Sequence, residues 1–307
     1  MAKIIVSTGR GGTGKTTFVA LAARYLESPF LLIDLDPDQN LADMLGINLD
    51  NEPIMTVSDS LYGVIQKRKS STEFNSIPLL SQMEYLLQSD CLYEGKNFDL
   101  LTLGTKLIPG CYCAADDLLK QNIPRLAKNY NNVVIDSPAG VEHLNRKVTS
   151  NINELFIFLD PSIKSLKHIK RVEDITKSVG IRYEHLYIVG NYEFDQAMED
   201  YFRKVNQNYI GKVEYDKELR EYNLNGKSLL ELHDDSPACL SIREIMEKSK
   251  LLNFKKIENY QVKKLEEQIA DLKADIPAHS VPPTMIDRLE RLEEGLERAK
   301  RNRNSKC

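Results

Sequence analysis

Gly9-Arg-Gly-Gly-Thr-Gly-Lys-Thr16 sits between an apolar run, Lys3 to Ser7, and a helical pattern over Thr17 to Tyr25. It matches G-x-x-x-x-G-K-[ST] at every defined position, in the strand–loop–helix context that the motif requires. Its glycines let the backbone curl until successive N–H groups point inward, and the following helix adds its positive end, so the loop makes an anion nest. Gly9, Arg10, Gly11, Gly12, Thr13, Gly14, Lys15, Thr16 and Thr17 are therefore expected to hold the phosphates of ATP. Lys15 is expected to reach the β- and γ-phosphates, and Thr16 to ligate Mg²⁺.

Short apolar runs continue along the chain at Phe30–Asp34, Leu100–Leu103, Val133–Asp136, Leu155–Leu159 and Leu186–Val189, alternating with helical patterns. Runs without polar alternation suit strands buried on both faces, and βα alternation predicts a mostly parallel sheet. The predicted fold is α/β, a three-layer P-loop NTPase over residues 1–258. Residues 50–98, rich in Ser and Thr with little periodicity, read as an insertion of helices and loops.

Asp34 and Asp36 close the second run, and Asp136 closes a later one. Ligands of open α/β sheets lie beyond the carboxyl ends of the strands, so these carboxylates are expected to converge on the phosphates. Asp136 and Asp34 are candidates for Mg²⁺, directly or through water, while Asp36 is a candidate for activating the attacking water. Lys15, Asp36 and Arg10 form the candidate catalytic set. Asn191, just past the run ending at Gly190, is a candidate adenine contact.

The net charge of −4, from 41 basic and 45 acidic residues, lacks the basic excess expected of a nucleic-acid binder. No apolar run has membrane-spanning length and no signal-peptide pattern opens the chain, so a cytoplasmic location without membrane attachment is expected. The five cysteines, at 91, 111, 113, 239 and 307, make a poor disulfide framework. Cys91 and Cys239 read as packing residues.

After about residue 258 the pattern changes. Leu265, Ile269, Leu272 and Ile276 form one narrow apolar stripe; Met285, Leu289, Leu292, Leu296 and Ala299 form another, with Pro277 to Pro283 between them. Residues 259–307 are thus expected to form a helical hairpin or a short coiled-coil arm.

Arg10-Gly-Gly-Thr-Gly-Lys-Thr-Thr17 resembles the deviant Walker A motif of the MinD/nitrogenase-iron-protein class of dimeric ATPases, in which the extra basic residue is a lysine reaching the partner's nucleotide. The class implies a homodimer. Arg10 stands at that position, and either the trans role of an arginine finger or a phosphate contact within its own subunit is open to it. Within the class, Asp34-Leu-Asp-Pro-Asp-Gln-Asn-Leu41, Gly110-Cys-Tyr-Cys-Ala114, Ala139-Gly-Val-Glu-His-Leu144 and Asp235-Ser-Pro-Ala238 resemble the CooC family of nickel-insertion ATPases. That family usually carries an acidic residue where Pro138 stands, and residues beyond 258 have no counterpart there.

The resemblance implies a metal role for Cys111 and Cys113. Two thiolates fall short of the four or so ligands that a tetrahedral soft-metal site needs, but a two-fold axis would bring together a second pair. Such a Cys₄ site suits Ni²⁺, Zn²⁺ or an iron-sulfur cluster. The implied function is ATP-driven metal insertion, with nickel foremost, into a client metalloenzyme of the carbon monoxide dehydrogenase or acetyl-CoA synthase kind. Two rivals stay open: an iron-sulfur ATPase that donates electrons, and a MinD-type positioning ATPase.

Overall fold

The computed structural model describes residues 2–70, 76–105, 113–205, 208–252, 262, 265–266, 268–274 and 283–304. Two compact units divide the chain, residues 1–249 and 250–307.

The first unit is built on an eight-stranded sheet in the order β3-β4-β2-β5-β1-β6-β7-β8. Its strands are β1 (Lys3–Gly9), β2 (Phe30–Asp34), β3 (Leu92–Glu94), β4 (Asp99–Thr102), β5 (Asn132–Asp136), β6 (Asn151–Leu159), β7 (Arg182–Gly190) and β8 (Tyr209–Lys212). All neighbours pair in parallel except β3 and β4. Every residue of β2 is buried, as are the last six of β6. The apolar runs within them, Phe30–Ile33 and Leu155–Leu159, follow from helices lying against both faces of a parallel sheet. From α1 (Lys15–Ala22), Phe18 packs its ring 5.0 Å from that of Phe156 and 5.1 Å from that of Phe158, which pins the helix after the phosphate loop to β6.

Strand register brings the candidate residues level. Ser7 of β1 and Asp34 of β2 are both partners of Asp136 in β5, and Thr102 of β4 is the partner of Asp34. Residues 50–98 hold α3 (Val57–Ser70), α4 (Leu79–Ser89) and the antiparallel strand β3. Between and after the strands run α2 (Asn40–Leu45), α5 (Cys113–Leu126), α6 (Glu142–Asn145), α7 (Ile163–Val179), α8 (Gln196–Val205), α9 (Lys217–Leu224) and α10 (Pro237–Lys248).

The second unit has a helical stretch over 268–274 and a longer helix, Pro283–Asn304. Ile269 and Leu272 are buried. Ion pairs of 2.7 Å join Lys273 to Glu293 and Lys300 to Glu266. A side chain added at Gly295 would reach Leu265 at 3.8 Å, so the glycine that weakens the helix locally also sits at a close helix contact. Pro277 lies outside the described residues. Among those described, no helix is long and apolar enough to cross a membrane.

Candidate nucleotide site

The loop between β1 and α1 takes its shape from two glycines. At Gly9 a Cβ would lie 2.4 Å from the carbonyl oxygen of Phe158, so only glycine lets the loop leave β1 beside β6. Gly14 precedes α1 at φ 93°, a left-handed conformation that other residues rarely hold. The carbonyl of Arg10 then gathers the loop, accepting bonds from Thr13 Oγ1 at 2.8 Å and from Lys15 Nζ at 3.0 Å. Lys15 is buried, and burial lowers its pKa against the opposing charges of Asp136 and Asp36. An ammonium folded back onto its own loop is a cation placed for an anionic ligand.

Asp136 is fully buried at the end of β5. Its Oδ1 accepts the Ser7 hydroxyl at 2.8 Å, whereas its Oδ2 is buried with no partner among the described residues. Burial raises its pKa to about 6, while the nearby hydroxyls of Thr16 and Ser7 and the charge of Lys15 act the other way. Asp34, beside it, has both oxygens engaged: Oδ1 accepts the Asp36 amide at 2.9 Å and Oδ2 the Leu41 amide at 3.2 Å. Burial first, and then Asp136, push its pKa well above the carboxylate range. These two backbone bonds make Asp34 the anchor of the 35–41 loop, which holds Asp36 at the cleft.

A cleft of about 920 Å³ runs from this loop across the carboxyl ends of the strands, lined by residues 11–17, Asp36, Asn191, Tyr192 and Tyr215 among others. Thr16, Thr17 and Asn191 thus share one cavity with Lys15 and Asp36. Asn191 is buried, its Oδ1 accepting the Glu193 amide at 3.1 Å and its Nδ2 donating to Glu193 Oε2 at 3.3 Å. Gly140, four residues past Asp136, donates its amide to the Gly9 carbonyl at 2.9 Å and so ties the loop after β5 to the phosphate loop. Arg10 is held within its own chain, donating to Asp160 Oδ2 at 2.9 Å and to Ser162 Oγ at 3.1 Å. Burial works against the Asp160 carboxylate, but bonds from Ser162 and Ser165, with the charge of Arg10, hold its pKa below the usual value.

Cys113 is the first residue of α5, and Cys111 lies outside the described residues. Among the described residues no group of three or more His, Cys, Asp or Glu is placed to hold a metal ion. Cys91 and Cys239 are free and buried, as packing residues are.

The sequence reading missed Ser7, Asp160, Ser162, Tyr192 and Tyr215. Ser7 was legible only through strand register. Asp160-Pro-Ser162, directly after an apolar run, carried a turn-and-cap signal that could have marked it.

A parallel sheet, a glycine loop before α1 and paired aspartates at adjacent strand ends define an ATP-binding P-loop ATPase of the MinD/ParA class. The chain belongs to the AAA_31 family, described as an AAA domain, which matches residues 1–185. An uncharacterized ATP-binding protein of Methanocaldococcus jannaschii is 34% identical over 254 residues, covering 80% of this chain and 97% of the relative. The carbon monoxide dehydrogenase accessory protein CooC of Rhodospirillum rubrum is 25% identical over 244 residues, covering 76% and 91%. In fold, the chain is similar to the septum site-determining protein MinD of Pyrococcus horikoshii complexed with Mg-ADP, with a TM-score of 0.57, 21% identity and coverage of 81% and 96%.

Proposed function

We propose that this chain hydrolyses ATP as a nucleotide-switched homodimer and uses the cycle to deliver a metal, nickel foremost, to a client metalloenzyme of the carbon monoxide dehydrogenase or acetyl-CoA synthase kind. The observation that carries the hydrolytic reading is the meeting of Lys15, Thr16 and Asp36 at one cleft, with the buried Asp136 close to all three. The unpartnered Asp136 Oδ2 and the nearby Thr16 hydroxyl fit a hard divalent cation, which prefers oxygen donors. Thr16 and Asp136 would hold Mg²⁺, which when bound neutralises charge on the β- and γ-phosphate oxygens.

The remaining roles belong to the chain itself. The backbone of residues 11–14 and the start of α1 orient the phosphates. Lys15 exchanges its bond to the Arg10 carbonyl for the γ-phosphate and stabilises the charge that builds on it. Asp36 orients the attacking water. Asp34 holds the loop that carries Asp36, so loss of the γ-phosphate is felt in residues 35–41.

The metal reading rests on Cys111 and Cys113, and on the 25% identity to a carbon monoxide dehydrogenase accessory protein. A cysteine pair from each subunit would complete a four-sulfur site on the two-fold axis. The test is metal content and oligomeric mass of anaerobically purified protein, with and without ATP, beside the Cys111→Ser, Cys113→Ser double variant. One metal per dimer, lost in the variant, is expected. Equal metal in both proteins, or one metal per monomer that persists on dilution, would refute the shared site. A brown protein with one iron-sulfur cluster per dimer would shift the reading to electron donation.

A further inference from the structure

The strand that leads toward the cysteine pair is hooked onto the loop that carries Asp36. Past the end of β4, the Leu103 amide donates to the Asp34 carbonyl at 2.8 Å, and the Leu103 carbonyl accepts the Ser58 amide at 3.0 Å. Gly104 then turns the chain at φ 78°, at a place where a Cβ would overlap the Thr56 side chain, so only glycine passes. The turn delivers Thr105, whose hydroxyl donates to the Pro37 carbonyl at 3.3 Å. Residues 106–110 separate Thr105 from Cys111.

The acceptor is fixed to Asp36 as closely as a backbone allows. Pro37 follows Asp36 directly, and its ring locks φ. Around it, Asp36 Oδ1 accepts the Asp38 amide at 3.1 Å, and the Asp36 carbonyl accepts the Gln39 amide at 3.1 Å. Gln39 closes this turn at φ 56°, a conformation that residues other than glycine seldom hold. A turn so tightly bonded moves as one piece. Any shift of Asp36 toward or away from a γ-phosphate therefore carries the Pro37 carbonyl, and through it Thr105.

We propose that Thr105 is a positioning residue that passes the state of the Asp36 loop to the segment bearing Cys111, so that nucleotide sets how this thiol is presented. The inference rests on the reading of Cys111 and Cys113 as metal ligands and names the regulation of that site. Coupling of this kind is reciprocal: metal changes ATP affinity by the factor by which ATP changes metal affinity. Thr105 is exposed, so removing its hydroxyl leaves the core untouched. The two ligand sites should stay intact while the link between them weakens.

The test compares the full-length wild type with Thr105→Val, which keeps the shape and removes the donor, and Thr105→Ser, which keeps the donor. One readout is the rate at which iodoacetamide alkylates Cys111 in metal-free protein, resolved by peptide mass, with and without a non-hydrolysable ATP analogue. The other is Ni²⁺ affinity by equilibrium dialysis under the same two conditions. In the wild type the analogue should change both by at least about fivefold, as is usual for coupled sites. The valine variant should lose about two- to tenfold of that response, the equilibrium worth of one neutral hydrogen bond, and bind the analogue as the wild type does. The serine variant should respond as the wild type does. An equal response in the valine variant, no response in the wild type, or a serine variant that behaves like valine would overturn the inference, and so would a valine variant with lost analogue affinity, which marks damage to the loop. An alkylation response that depends on Thr105 in a protein that binds no Ni²⁺ would refute the metal reading and leave the transmission standing.

Discussion

Arg10 Nη1 lies 2.9 Å from Asp160 Oδ2, so the guanidinium at the start of the phosphate loop is tied to the end of β6 in its own chain. With side chains 36% and 22% exposed, the pair is of the kind worth about 0–1 kcal/mol. A contact that weak yields readily to a phosphate. Arg10→Ala is expected to keep ATP affinity within about threefold while turnover falls at least about tenfold, as for loss of an arginine that meets the transition state. Mixing it with Asp36→Asn should recover activity through heterodimers holding one competent site. No recovery at any ratio would assign Arg10 to its own subunit.

Asp160→Ala removes the tether without touching the nucleotide. If Arg10 must leave Asp160 to reach a second subunit, this variant should dimerise at about two- to fivefold lower ATP concentration, matching the modest worth of the pair. Sedimentation at graded ATP measures it, and an unchanged midpoint would show that the tether does not restrain assembly.

Lys15→Ala should abolish turnover, because the charge it supplies acts throughout phosphoryl transfer. Phosphate release is the readout. Near-normal turnover would remove the P-loop from the mechanism.

His143, in α6, is buried with both ring nitrogens unpartnered among the described residues, and burial lowers its pKa to about 3. The unfolded chain takes up this proton near pH 6.5 while the folded chain does not until about pH 3, so stability falls as pH falls through that window. The slope is about 1.4 kcal/mol per pH unit. Asp136, its pKa raised, contributes with the opposite sign between about pH 4 and 6. The useful quantity is therefore the difference between wild type and His143→Leu. Urea denaturation at pH 5 and pH 7 should show the variant losing less stability on acidification; identical losses would mean that His143 is protonated without cost.

Deleting residues 259–307 should leave a folded protein that binds ATP, since every described strand and the whole phosphate loop lie within residues 1–249. Circular dichroism and an ATP-binding isotherm on the truncated chain test this. An insoluble product would place the helical extension in the folding unit.

How much was legible follows from what writes itself into local pattern. Six strands announced themselves because burial on both faces forces apolar runs, such as Phe30 to Ile33. The edge strands β3 and β8 did not: Leu92-Tyr-Glu94 is three residues long, and Tyr209-Ile-Gly-Lys212 alternates about a glycine. The phosphate loop and the aspartates after strands were readable because each sits in a motif or at a strand end. That Asp34 would anchor a loop through two amides, or that Asp160 would hold Arg10 from 150 residues away, depends on register and tertiary approach. Neither has a local signature.

Those same edges bear on how the molecule meets copies of itself. A long parallel sheet exposes unpaired amides and carbonyls at its rims, an open invitation to strand addition and aggregation. Here one rim ends in a three-residue strand turned antiparallel, and the other in a four-residue strand that carries Lys212 and follows a bulge between Ile188 and Val189. Both devices discourage edge-to-edge growth. Self-association of this chain is thereby left to side-chain surfaces and withheld from backbone ladders.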